Sequence, residues 1–245
     1  MVEEERKISA GSYDLNKWLY GGYEKGIISM IAGPPGSGKT NMVILAACSQ
    51  AKKGNKIIFI DTEGGFSVDR VKQIVGDSSE EILENILLLQ ATSFGEQTKY
   101  FDKLSTLVKK DQISLIVVDS MAMFYRLELG DASKLKNNEK IKKVNNELAR
   151  QMKFLAEISR KQNIPVMITN QVYTGFLSEE ELRKGVKREV NLVGGDLMKY
   201  WSKCIIELKN EGGRRKAILL KHRSLPEKEL SFEIKNKGIF RRRWI

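Results

Sequence analysis

Eight consecutive residues, Gly33-Pro34-Pro35-Gly36-Ser37-Gly38-Lys39-Thr40, combine types that serve one chemistry, the cradling of a polyphosphate. They follow an apolar run and precede a helical pattern, the context in which such a stretch folds into a phosphate loop. Gly33, Gly36 and Gly38 let backbone N–H groups turn inward toward phosphate oxygens. The helix that starts near Lys39 adds the positive end of its dipole. Lys39 is placed to reach the β and γ phosphates of ATP, and the Thr40 hydroxyl to ligate Mg2+. The plainer reading of the same letters is a glycine-rich strand–helix turn with a coincidental lysine.

Three further residues fit around such a loop. Asp119 ends the apolar run Leu115-Ile116-Val117-Val118, where it would hold the Mg2+ shell through water. On its own it is equally a helix N-cap. Glu63, in Asp61-Thr62-Glu63 at the end of another apolar run, is the candidate base that orients or deprotonates water, or else a loop carboxylate or cap. Its strand is expected next to the strand that feeds the loop. Gln171, in Asn170-Gln171, is a neutral amide at a strand end. Such an amide can touch a γ phosphate and pass its presence to the segment that follows.

The elements that must position these residues are legible as apolar runs alternating with helical patterns. Ile27–Ala32, Lys56–Ile60, Ile86–Gln90, Ile113–Val118 and Val166–Asn170 read as strands buried on both faces. Between them, 39–52, 68–75, 94–110 and 138–162 read as helices, the last with apolar residues at 141, 144, 148, 152, 155 and 158 on one face. This alternation predicts a mainly parallel twisted sheet flanked by helices. Residues 171–195 read as a long mobile loop. Beyond them, 203–208, 214–221, 229–235 and 239–243 read as antiparallel strands extending the sheet, the first pair joined at Asn210-Glu211-Gly212-Gly213.

Composition narrows the function classes. The chain has 245 residues, 41% hydrophobic and 30% charged, which suits one α/β domain with a well-solvated surface. Its formal net charge of +11 favours polyanions, nucleic acid first. Cys48 and Cys204 are far apart and His222 is the one histidine, which excludes a zinc site and a Ser-His-Asp triad. No segment approaches the ~20 apolar residues of a membrane helix, so a soluble, cytoplasmic protein is expected.

The same residues resemble a known family. Ser9-Ala10-Gly11-Ser12-Tyr13-Asp14-Leu15 with Gly21-Gly22-Tyr23-Glu24-Lys25-Gly26 is similar to the approach to the phosphate loop in recombinases of the RecA superfamily. Asp61-Thr62-Glu63-Gly64-Gly65-Phe66-Ser67 followed by Arg70 resembles their catalytic glutamate turn, Ile116–Ser120 their Mg2+ strand, and Asn170-Gln171-Val172 the start of their second DNA-binding loop. Within the family the likeness is to a short archaeal paralogue subgroup, carried by the same glutamate turn, by Tyr125-Arg126 after the Mg2+ strand, and by Lys221-His222-Arg223.

The resemblance implies one RecA-like P-loop NTPase domain over 1–245, with residues 1–8 a short extension and no separate N-terminal helical domain. It implies an accessory of the main archaeal recombinase in DNA recombination and repair, itself a homodimer or weak oligomer. It also implies weak ATPase activity in which ATP is more a conformational switch than a fuel. Asn41 and Arg70 join residues 33–40 as nucleotide-contacting candidates. Pro34-Pro35 departs from the usual pattern and affects loop rigidity more than phosphate chemistry.

In this family two loops face DNA. The first would span about 121–138, with Tyr125, Arg126, Lys134 and Lys136. The second would span about 172–191, with Tyr173, Phe176, Arg183, Lys184, Lys187 and Arg188. Aromatics interleaved with cations suit single-stranded DNA, and a solvated charged loop is the plainer alternative. The second loop does not match the full recombinases residue by residue, so no individual base contact is carried over. Lys221-His222-Arg223 is a third basic cluster, for DNA or for the nucleotide of a neighbouring subunit, and Arg241–Arg243 a fourth. Two other readings stand beside this one: a signalling ATPase of the clock-protein group that forms rings without DNA, and a nucleotide-dependent binding module with negligible turnover.

Overall fold

The computed structural model describes residues 6–110, 112–174 and 190–242. Its short entry segment holds β1 (Lys7–Ile8), α1 (Tyr13–Trp18) and β2 (Tyr23–Glu24). The Ser12 hydroxyl caps α1 by accepting from Leu15 N and donates to Ile239 O, tying this segment to the last strand.

The sheet is built from β3 (Ile28–Gly33), β4 (Lys56–Asp61), β5 (Ile86–Gln90), β6 (Ile113–Asp119), β7 (Val166–Thr174) and β9 (Ser202–Glu211), with β10 (Arg214–Lys221), β11 (Lys228–Lys235) and β12 (Gly238–Arg241). The strand order is β12-β11-β10-β9-β3-β7-β6-β4-β5, and β8 (Val190–Leu192) pairs with β7 off this path. Pairing is parallel from β9 to β5 and antiparallel from β9 to β12. The mainly parallel sheet with antiparallel C-terminal strands is therefore as the pattern predicts. The β9–β10 turn uses Gly212 and Gly213, both at positive φ, at the predicted hairpin.

Helices cover both faces. On one lie α2 (Lys39–Ala51), α3 (Val68–Val75) and α4 (Ser79–Glu84); on the other α5 (Phe94–Lys110), α6 (Met123–Lys134), α7 (Asn138–Gln162) and α8 (Gly195–Trp201). α7 starts at Asn137, whose side chain accepts from Lys140 N, and stops at Asn163 in the left-handed region. Its buried Val144, Leu148, Met152, Leu155 and Ile158 form the predicted apolar face.

Four expectations are corrected. The β4 strand does not lie next to β3, because β7 and β9 occupy both flanks of β3. The β5 strand is not buried on both faces: it is the edge, and Leu87 is exposed. The stretch 121–138 is not a loop but mostly the helix α6, whose Tyr125 and Leu129, four apart on one face, pack on the core. Within 171–195, the described part is not a mobile loop either. The β7 strand runs on to Thr174, pairing Val172 with Leu192 and Tyr173 with Asn191.

Candidate nucleotide-binding site

The C-terminal ends of the parallel strands gather the candidate residues at one edge, the place where parallel sheets put their ligands. Gly33 ends β3 and is level with Gln171 of β7. Asp61 ends β4 and is level with Asp119 at the end of β6. The misplaced strand thus still brings its turn to the site, through β6 rather than beside β3.

Pro34 to Gly38 form the loop between β3 and α2. A Cβ on Gly33 would stand 2.7 Å from both Leu208 O and Ser37 Oγ, so the strand end has no room for a side chain. Gly38 sits at φ +107°, where its missing Cβ would also meet Ile234 Cδ1 at 2.8 Å. Lys39 is 7% exposed, and its Nζ donates to Gly33 O and Pro34 O, each at 3.0 Å. Burial lowers its pKa, against the opposing pull of Glu63 and Asp119. Ser37 Oγ is buried without a hydrogen-bond partner among the described residues.

Thr40 is the second residue of α2. A Cβ on Gly65 would lie 3.4 Å from Thr40 Oγ1 and 3.6 Å from Asp119 Oδ2, so both oxygens border the same bare glycine. Asp119 is 1% exposed; its Oδ1 accepts from the Thr169 hydroxyl. Its Oδ2 completes no hydrogen bond among the described residues, although the Thr40 hydroxyl beside it helps to steady the charge. Burial is the main cause that raises the Asp119 pKa; the two hydroxyls oppose it and Glu63 and Asp61 add to it. A buried anionic oxygen with no donor, next to a hydroxyl oxygen and under a cation, fits a divalent hard cation that takes oxygen ligands.

Asp61 organises the turn that carries Glu63. Its carboxylate accepts from Glu63 N, Gly65 N and Phe66 N at 3.2, 3.1 and 3.0 Å. Thr62 locks this turn to the end of β6, donating to Ser120 O and accepting from Ser120 N, each at 2.7 Å. Glu63 itself is exposed, and its Oε1 accepts from Gln171 Nε2 at 3.0 Å. The candidate base and the candidate switch amide are therefore bonded to each other. Asn170 holds the base of that arm: Nδ2 donates to Val193 O at 2.8 Å and Oδ1 accepts from Gln171 N.

The remaining candidates scatter. Arg70 Nε donates to Asn41 Oδ1 at 2.7 Å, and its other nitrogens donate to Gln73 Oε1, Asn236 O and Lys235 O. Both residues sit at the rim beside the β11–β12 turn. Tyr125 is 8% exposed with its hydroxyl on Asn145 Oδ1, so its ring offers no free face for stacking. Arg126 lines a cleft of about 1100 Å3 with Pro34, Pro35, Gln171 and Tyr173. Lys221, His222 and Arg223 lie at the opposite end of the sheet, where His222 and Arg223 both face Glu24 just before β3. Phe176, Arg183, Lys184, Lys187, Arg188 and Arg243 lie outside the described residues. The sequence reading missed Thr169, whose only signal is a polar side chain inside a buried strand.

Two sequence comparisons place the chain among known proteins. The sequence profile of the Rad51 family matches residues 3–242. Relatives named DNA repair and recombination protein RadB include that of Methanobrevibacter smithii, 38% identical over 242 residues and 97% of each chain. That of Methanocaldococcus jannaschii is 41% identical over 225 residues, 92% of this chain and 98% of the relative. That of Methanothermobacter thermautotrophicus is 36% identical over 241 residues, 96% of each. With the phosphate loop, the paired strand-end carboxylates and a match along nearly the whole length, the chain belongs to the Rad51 family of RecA-like proteins and, within it, to the RadB group.

Proposed function

We propose that this chain is an ATP- and DNA-binding accessory of homologous recombination and DNA repair, with slow ATP hydrolysis, acting alongside the main archaeal recombinase. The observation that carries the reading is the convergence of Lys39, Thr40 and the unsatisfied Asp119 Oδ2 at the loop end of the sheet. Thr40 and Asp119 would hold Mg2+, which when bound supplies charge neutralisation for the phosphates. Lys39 binds the β and γ phosphates, and the backbone of residues 36–38 orients them. Glu63 holds the attacking water and takes its proton at a carboxylate oxygen.

The Glu63–Gln171 hydrogen bond supports the slow, switch-like character. While the amide occupies Oε1, that oxygen is turned to Gln171 rather than to an attacking water, and Gln171 is held at the end of the site on β7. A γ phosphate that draws Gln171 away would free Glu63 and move the arm that follows, so the two ends of one hydrogen bond link turnover to the cleft. The name of the RadB relatives supports the repair assignment, and the net charge of +11 supports DNA as the polyanion.

Phosphate release from ATP tests this, with the parent and Lys39→Ala assayed side by side with and without single-stranded DNA. The parent should turn over well below the ~1–10³ s⁻¹ of ordinary enzymes, and the variant not at all. Identical release by the two proteins would end the ATPase assignment.

A further inference from the structure

The geometry points to Arg215 as a positioning residue of the phosphate loop, acting on it from the antiparallel extension of the sheet. The inference rests on the ATP site proposed above and adds a part to it that no motif contains.

Arg215 lies on β10 in register with Asn210 of β9 and Phe232 of β11. Side chains alternate along a strand, so Arg215 faces the same side as Ala217 and Leu219, which pack in the core under α2. That side is the outer wall of the loop. Three parts of the extension meet the loop there. Leu208 O closes on Gly33 and Ile234 Cδ1 on Gly38, where a Cβ would come to 2.7 and 2.8 Å. Between them, Arg215 Nη2 donates to Gly36 O at 3.4 Å.

Gly36 has φ +70° and nothing within 4 Å of where a Cβ would stand, so on that side the loop stands open. A trans peptide points its C=O and the following N–H in opposite directions. A cation that draws Gly36 O outward therefore turns Ser37 N–H into the loop. There that N–H meets Pro34 O at 3.3 Å, the same oxygen that Lys39 Nζ holds. Arg215 Nε is buried without a hydrogen-bond partner among the described residues. Leaving a buried donor unsatisfied works against folding, so a role as mere filler would favour an apolar side chain here. Arg215 keeps its guanidinium because the cation sets the Gly36–Ser37 peptide, whose N–H closes the loop on Pro34 O.

Amide hydrogen exchange on the nucleotide-free full chain tests this without needing any ligand. Equilibrium binding of a fluorescent non-hydrolysable ATP analogue gives the second readout. Arg215→Ala should speed exchange in residues 36–40 by about tenfold, the loss of one charge-assisted hydrogen bond, and leave β4 and β6 as in the parent. It should weaken the analogue by about the same factor. Arg215→Met, which keeps the aliphatic stem and the packing, should behave like Arg215→Ala even where the smaller side chain impairs folding. Arg215→Lys, which restores a cation and a donor, should recover most of both effects. Parent-like exchange across the loop in the Ala and Met variants overturns the proposal, as does a Lys variant no better than Met. A parent chain that fails to bind the analogue sinks the ATP reading instead, and the exchange data still decide Arg215.

Discussion

Asp119 is held in a poor place for a charge. It is buried beside Asp61 and Glu63, and its Oδ2 lacks a hydrogen bond among the described residues. Burial and the two neighbouring carboxylates push its pKa up, so at neutral pH the ionised form is a cost to the nucleotide-free fold. Such costs mark sites where stability is given up for binding. Asp119→Asn keeps the shape, leaves an oxygen for the Thr169 hydroxyl and removes the charge. In EDTA without nucleotide its Tm should rise by a few degrees, at about 2–4 °C per kcal/mol for a chain of this size. The Mg2+-dependent part of ATP affinity should disappear in the same protein. A Tm at or below the parent's would mean that the charge is already compensated. That Lys39, Thr40 and Asp119 lie together was legible in sequence, because the glycine-rich loop pattern between a strand and a helix and an aspartate ending another apolar strand both point to one edge of a parallel sheet. Thr169, Thr62 and Arg215 were not, because they reach the site through strand register across long stretches of chain, and no local spacing rule encodes that.

Helices and strands whose periodicity answers to one buried face were read almost to the residue, as for α7 and β10. The misreadings have a common physical cause. The sequence of α6 carries Gly130 and few strictly spaced apolar residues, and its inner face rests on Tyr125 and Leu129 packed on the core. The place of β4 is a property of strand order, which apolar runs do not encode. The turn from β10 to β11 gives the test at this level. His222 Nδ1 accepts from Ser224 N and Leu225 N, and its ring faces Glu24. Burial is the main cause that lowers its pKa below 6.5; Glu24 opposes it, and Lys7, Arg223 and Lys228 add to it. The unfolded chain therefore takes the proton more readily than the folded one. The contribution of His222 is fully present above pH 6.5 and is lost as pH falls from there through the lowered folded value. His222→Asn keeps an acceptor for the two amides and removes the titration. Between pH 7.5 and 5 the parent should lose more Tm than the variant, by differential scanning fluorimetry. Parallel losses would place the acid sensitivity elsewhere.

The proposed DNA binding has two candidate places at opposite ends of one sheet, the cleft lined by Arg126 and Lys209 together with Glu207 and Glu211, and the corner of Lys221 and Arg223, and the linkage between sites distinguishes them. Arg126 lines the cleft that also holds Pro34, Pro35 and Gln171, so a strand lying there touches the wall of the phosphate loop and the amide bonded to Glu63. Lys221 and Arg223 sit at the far end, beside Lys199 O and Glu24, with the length of the sheet between them and the loop. A single strand bound at either end would release counterions, so its affinity should fall with salt by about 0.7 in log–log slope for each phosphate neutralised. Only the cleft end should be coupled to ATP. Coupling is reciprocal: the factor by which ATP tightens DNA must equal the factor by which DNA tightens ATP. Arg126→Ala should reduce both the salt slope and this factor, while Lys221→Ala reduces the slope and leaves the factor at its parent value. Filter binding across a salt series, with and without a non-hydrolysable ATP analogue, measures all of these in one matrix. If Arg126→Ala keeps the full coupling, the Glu63–Gln171 bond is not the link between nucleotide and DNA. If neither variant alters the slope, the positive charge acts on some other polyanion and the DNA assignment falls with it.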